Sequence, residues 1–252
     1  MKRLSYLIMI SCFLALLPRI AECQSSAPQT NISNEGDYAR TEEIYPNFLG
    51  WKYHTLHDFP LQPDGSKGYT VSSSNGGWGP RDSDVKPLYQ DSNEYFLHLL
   101  ACDSSAIVVA TMTGSEVHLS QNKSTIFTRY HFTVKQLVKE GLSTATDTVT
   151  IGDNVDVIHL GGTVVDAGER LTVKVDGVDP YKTGEVYLLY LDHDARASAN
   201  VFYSPQGIRL SVTPENIIRD TGKIKQQHAR DGETVDQFKQ RLQAALVKDV
   251  CR

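Results

Sequence analysis

His54 and His57 stand three positions apart, with Asp58 beside the second. On a helix that spacing would place both imidazoles on one face, where they could grip zinc. Pro60 and the aromatic residues around the pair argue against a helix, and the sequence offers no third ligand. The expectation is two packed or solvent-facing histidines and no metal site. His118, His131 and His159 fall on predicted strands or strand ends, so a barrel could bring some of them together, and alternation puts His131 at the surface. Asp192-His193-Asp194 follows an apolar strand, but Arg196 stands where a calcium loop needs another oxygen ligand. The stretch from Asp176 to Asp179 is a second acidic turn. Both fit hairpin turns, in which aspartate bonds its own backbone. Nothing singles out a carboxylate pair suited to glycoside hydrolysis.

Nucleophile and phosphate motifs are equally sparse. The chain has neither a Gly-x-Ser-x-Gly elbow nor a His-Glu-x-x-His helix. Gly65-Ser66-Lys67-Gly68 lacks P-loop spacing, and Gly77-Trp78-Gly79 runs into Pro80 where a dinucleotide fingerprint would open a helix. Cys102 has no basic neighbour to lower its pKa. Asn31-Ile32-Ser33 and Asn122-Lys123-Ser124 fit a glycosylation pattern that matters only on a eukaryotic secretory route. The reading assigns no catalytic, cofactor-binding or metal-ligating residue, expects no cofactor, and favours a binding or structural role over an enzyme.

The chain ends constrain where such a protein works. Lys2 and Arg3 precede the apolar stretch from Leu4 to Leu17, and Ala21-Glu22-Cys23 follows. This predicts a signal peptide over residues 1–23, cleaved before Gln24. The apolar run is shorter than the roughly 20 residues a membrane span needs. Glu22 stands where a lipoprotein signal wants a small residue before Cys23. Cleavage removes three basic residues and one acid, which takes the formal net charge from -5 to -7. Such a surface repels phosphate backbones, so nucleic acid is a poor partner. Another envelope or extracellular protein is the expected one, and the expected location is secreted or periplasmic. Cys102 and Cys251 are the cysteines left after cleavage. An oxidising compartment favours joining them. The alternative stays open that Cys102 is a small buried residue and Cys251 frays with the terminus.

Several elements could hold a site. Residues 24–42 read as a disordered linker. Residues 43–90, broken by prolines but rich in aromatics such as Trp51, Phe59, Tyr69 and Trp78, read as an irregular extension packed on the main domain. Residues 91–213 read as a β domain entered by a short helix, with Asp91 and Glu94 at capping-box spacing and Phe96, Leu99 and Leu100 as its apolar side. Ala106–Met112 is a buried run. Ile126–Leu137 alternates, with Ile126, Thr128, Tyr130, Phe132 and Val134 on the core face and Phe127, Arg129, His131, Thr133 and Lys135 mostly opposite. Further strands are predicted at Thr148–Ile151, Val155–Leu160, Leu171–Val175, Val186–Leu191, Val201–Tyr203 and Ile208–Val212, separated by glycine turns. Short strands at this spacing predict a mainly β fold, a small antiparallel Greek-key barrel. Ile107, Val109, Tyr130, Phe132, Val134, Leu188 and Leu189 are expected in its core. Residues 214–252 read as a linker and a C-terminal amphipathic helix, with Thr234 and Gln237 as a capping box and Val235, Phe238, Leu242, Ala245, Leu246 and Val250 as its stripe.

Three stretches of the β domain resemble a wider group. They are Ala101-Cys102-Asp103-Ser104-Ser105-Ala106-Ile107-Val108-Val109-Ala110, Thr128–Val134 running into Val138-Lys139-Glu140-Gly141, and Gly161-Gly162 with Tyr181–Leu191. They are similar to β-barrel domains of secreted bacterial proteins of unassigned role, and more distantly to the OB-fold, netrin-like domain of the tissue inhibitors of metalloproteinases. The resemblance implies an OB-like barrel. It carries over no inhibitory residue, because those inhibitors chelate a protease zinc through a free N-terminal cysteine, and Gln24 stands at the expected mature start. The functional expectation is an exported, non-catalytic binding or structural protein, with an extracellular hydrolase or a protease inhibitor as alternatives.

Overall fold

The structure, a computed structural model, describes residues 55–71, 92–139, 149–194, 196–205, 208–221, 230, 232–248 and 251. The predicted signal peptide, the 24–42 linker, His54, Asp91 and Val250 lie outside these residues. A single 3-10 turn at Leu56–Asp58 is followed by β1 (Lys67–Val71), α1 (Ser92–Asp103), β2 (Ala106–Leu119) and β3 (Ile126–Lys139). Next come β4 (Asn154–Leu160), β5 (Gly162–Asp166), β6 (Glu169–Val175) and β7 (Val186–His193). Then β8 (Val201–Tyr203), β9 (Leu210–Val212), β10 (Ile218–Asp220) and α2 (Val235–Lys248) complete the order. The fold is mainly β, as predicted. No described helix is long and apolar enough to cross a membrane.

Three of these strands answer to no predicted one: β1 inside the proline-broken extension, β5 after Gly161, and β10 in the stretch read as a linker. The predicted strand at Thr148–Ile151 is not formed over its described part. Val149 and Thr150 belong to no element, and Ile151-Gly152 is a turn. The run predicted at Ala106–Met112 continues to Leu119, with register shifts against β3 that include one between Met112 and Gly114.

The strands form two sheets. One has the order β1-β6-β5, and the other has the order β10-β9-β7-β2-β3-β4-β8. Two pairings are parallel, β1 on β6 and β4 on β8; the rest are antiparallel. Strand β8 also bonds β7, Asp192 opposite Tyr203 and His193 opposite Phe202. Hydrogen bonding therefore passes from β2 through β3, β4, β8 and β7 and back to β2. Strand β1 lies tight on β6. Gly68, at φ +144°, is level with Thr172, and a Cβ there would sit 1.7 Å from the Thr172 carbonyl oxygen, so only glycine fits.

Period-2 alternation divides the core. On one side of β2 and β7, Ile107, Val109, Leu188 and Tyr190 pack under the two helices with Leu97, Phe238 and Leu242. On the other side, Ala106, Val108, Leu189 and Leu191 pack with Tyr130, Phe132, Val134 and Phe202. All seven expected core residues are buried, but they belong to two clusters. A third cluster joins the sheets through Leu56, Phe127, Ile158, Leu160, Leu171 and Val173. It explains why Phe127, expected on the outer face of its strand, is fully buried: the small sheet covers that face.

The helices meet over the first cluster. The capping box at the start of α2 forms as predicted. The Thr234 N–H donates to Gln237 Oε1 at 2.9 Å, and the Gln237 N–H donates to Thr234 Oγ1 at 3.2 Å. Val235, Phe238, Leu242 and Ala245 are buried on its stripe. The buried side of α1 is Leu97, His98, Leu100 and Ala101, while Phe96 and Leu99 are half-buried. That face is rotated from the predicted one. Lys139 donates to the carbonyls of Ala101 and Ser104 at the end of α1, where a cation suits the helix dipole. Burial lowers its pKa. Cys102 and Cys251 are joined in a disulfide with Cα atoms 5.2 Å apart, tying the end of α1 to the chain just beyond α2.

Candidate functional site

Alternation along β3 and β4 turns Thr128, Tyr130 and Phe132, with Val155, Val157 and His159, toward one interior side. The chain from Asp176 to Glu185 closes over it. Asp176 fixes the start of that loop by donating its N–H to the Val71 carbonyl at 2.8 Å. Gly177, at φ +76°, turns the chain, and Pro180 then delivers Tyr181 into the interior. Tyr181 is 5% exposed. Its ring meets those of Tyr130, Phe132 and Tyr187 edge-on at centroid distances of 4.9, 5.0 and 4.8 Å, and His159 lies at 5.3 Å.

Arg209 approaches the same ring from the position just before β9. Its Cζ lies 3.5 Å from the Tyr181 centroid and 5.7 Å from that of Tyr187, a cation–π arrangement. Its Nη2 donates to the Asp179 carbonyl. Among the described residues the side chain makes no ion pair.

Two cavities flank this cluster. One, of about 590 Å³, lies between the sheets and is lined by Val117, Tyr130, His159, Thr172, Val175 and Tyr181, among others. The second, of about 640 Å³, is lined by Pro180, Lys182, Tyr187, Arg209, Thr213 and Thr221, among others. Asp179 and Pro180 line both, so the loop that carries Tyr181 is their common wall.

Among the described residues, several buried polar atoms here have no hydrogen-bond partner: both ring nitrogens of His159, the Tyr181 hydroxyl, and Nε and Nη1 of Arg209. Ser204 stands beside His159 and Tyr181 without closing a well-formed bond to either. Burial first, and then the Arg209 charge, push His159 down to about 3, so its imidazole is neutral at ordinary pH. Burial raises the Tyr130 and Tyr181 phenols against the opposing pull of Arg209. Tyr187 is pushed up to about 12, by burial first and then by its bond to Glu185 at 2.6 Å. The cluster thus offers a neutral imidazole, neutral phenols and one fixed positive charge in a largely apolar enclosure. That composition suits holding a ligand.

Of the residues singled out from sequence, His159 and the Asp176–Asp179 turn lie at this cluster, and the others that are described lie elsewhere. His57 is clasped between two carboxylates. Its Nδ1 is 2.6 Å from Glu169 Oε2 and its Nε2 is 2.8 Å from Asp166 Oδ2, on the two sides of the β5–β6 turn. Lys67 bonds Glu169 at 2.6 Å and Lys123 bonds Asp166 at 2.7 Å. Hydrogen bonds to both carboxylates, Glu169 first, raise the His57 pKa. His131, half-exposed as alternation implied, bonds Asp156 at 2.7 Å. The Asp194 turn is closed by Arg196, whose Nε and Nη2 donate to its two oxygens at 2.8 and 2.6 Å. Asn122 accepts from Ser120 and Ser124 in the β2–β3 turn; Asn31 lies outside the described residues. Among the described residues no three His, Cys, Asp or Glu side chains gather as a metal site.

Sequence reasoning passed over Tyr181 and Arg209. Arg209 sits between Ile208 and Leu210 in an alternating strand, where the polar position is ordinarily outward. The aromatic density of Tyr181, Tyr187 and Tyr190 was the available signal. A scan of the chain against protein-family models gave no match, and a search of curated proteins gave none either.

Proposed function

We propose that this chain is an exported, non-catalytic binding protein, and that its ligand sits at the paired cavities around Tyr181. The observation that carries the reading is the convergence, on the walls of two half-open cavities of the size that takes small molecules, of side chains whose buried polar atoms have no partner among the described residues. The scaffold in this reading is a five-stranded Greek-key barrel of the OB type, made by β2, β3, β4, β8 and β7. Its support is the hydrogen-bond circuit through those strands and the parallel β4–β8 pair within it. Tyr130, Phe132, Tyr187, Leu189 and Phe202, drawn from three of the five strands, would fill the interior. Export is supported by the charged and apolar start of the chain, and the Cys102–Cys251 bond is compatible with it.

Ligand-observed NMR with a fragment library tests the binding reading. Val117→Trp places a large ring in the inter-sheet cavity from a half-buried wall position. Fragments that bind between the sheets should lose their signal with this variant while its far-UV spectrum stays unchanged. A library that gives the same response with both proteins overturns the assignment of a ligand to the inter-sheet cavity.

A further inference from the structure

We infer that the second cavity takes a small organic anion, with its oxyanion group on Arg209. The inference rests on the binding reading above and adds the charge of the ligand. Arg209 lines this cavity, is 6% exposed and, among the described residues, makes no ion pair. Its Nε and Nη1 are buried without acceptors. An arginine removed from water ordinarily has a carboxylate beside it, because an uncompensated buried charge is destabilising. Among the described residues the compensation is one carbonyl bond from Asp179 and the faces of Tyr181 and Tyr187. The rings lower the cost of burial but do not cancel a full charge.

The cavity wall supplies the rest of a recognition set. Lys182 is a second cation at the rim, with its side chain 75% exposed and paired loosely with Glu185 at 3.5 Å. Thr213 and Thr221 add hydroxyl groups, and Pro180, Val186 and Tyr187 add apolar surface. A guanidinium held at the wall by the Asp179 carbonyl has its direction set before any ligand arrives, which lowers the ordering cost of binding. The ligand class that fits is an oxyanion on a compact apolar body. Carboxylates and phosphate monoesters share that chemistry.

The test is isothermal titration of the full mature chain with benzoate, phenyl phosphate and the neutral benzamide at matched ionic strength. One or both anions should bind at least about tenfold more tightly than benzamide. Arg209→Gln should remove that preference, and the exposed Lys182→Gln should weaken it without altering the fold. Arg209→Met, measured without probes, should melt at or above the wild type, because it removes a charge that lacks a partner. Equal binding of all three probes leaves the binding reading in place and overturns the anion inference. Failure of both anions to bind overturns it too. A marked loss of melting temperature in Arg209→Met does the same, since it makes Arg209 a structural strut on Tyr181.

Discussion

Replacing Cys102 and Cys251 together by serine removes the cross-link between the end of α1 and the residue just beyond α2. The two cysteines are 149 positions apart. In the chain-entropy model, opening a loop of that length releases about 5 kcal/mol of conformational freedom to the unfolded chain at 25 °C. The native state loses little by comparison. Val235, Phe238 and Leu242 remain fully buried against Leu97 and Tyr190 without the bond, and the Thr234–Gln237 capping box lies at the opposite end of α2. The effect should therefore act on the unfolded state, as a lower urea midpoint together with a steeper slope, because an uncross-linked chain exposes more surface when it unfolds. Urea unfolding of the oxidised wild type and the double serine variant, followed by far-UV circular dichroism, measures both quantities. A loss between about 2 and 5 kcal/mol agrees with this mechanism. A loss under about 1 kcal/mol, or an unchanged slope, refutes it and places the stabilising effect of the bond elsewhere.

Phe132 is fully buried and meets Tyr181 and Tyr187 edge-on. Phe132→Ala should cost about 3–5 kcal/mol by chemical denaturation, whereas the exposed Val165→Ala should stay within about 0.5 kcal/mol. The His57 clasp should make stability depend on pH in two directions. The His57 pKa is raised above 6.5, so its contribution is complete below that value and fades as pH rises through the folded pKa. Asp166 and Glu169 are lowered, mainly by bonds to Lys123 and Lys67, so their contributions hold above 3.8 and 4.5 and fade as pH falls through the folded values. The stability difference between wild type and His57→Gln should shrink from pH 6 to pH 9 in urea titrations. A constant difference would mean that the imidazolium is not what fastens the Leu56–Asp58 turn to the β5–β6 hairpin. Intact mass of protein recovered from an exporting host should correspond to a chain starting at Gln24; retention of Met1 or a lipid on Cys23 would contradict export by cleavage.

Alternation made β3 legible, because one face meets a core and successive side chains point to opposite sides. The stripe and capping box made α2 legible for the equivalent helical reason. Strand β1 was not legible. It is five residues long, includes Gly68, and finds its parallel partner at Leu171–Val175, far along the chain, so no local pattern marks the pairing. Phe127 and the α1 face were misplaced for one shared reason: a second layer covers a surface that a two-faced reading leaves to water. The site was the least legible part. Arg209 occupies a position that alternation assigns to solvent, and only the arrival of Tyr181 on a loop gives it a ring to stack on. Tertiary placement, not spacing, makes that pair.

Strand β7 has a paired neighbour at every position, and neighbours on both edges at Tyr187 and Leu188. Strand β2 runs beside it from Val186 to Leu191, β9 joins at Tyr187 and Leu188, and β8 joins at Asp192 and His193. Those partners come from both sides of it in the sequence, so β7 cannot complete its pairing until chain synthesized long before it and chain synthesized after it have both arrived. Its amide protons between Tyr187 and Leu191 are accordingly the ones whose exchange with solvent should report the opening of the whole molecule, while β1 and β10 at the sheet margins exchange through smaller, local openings.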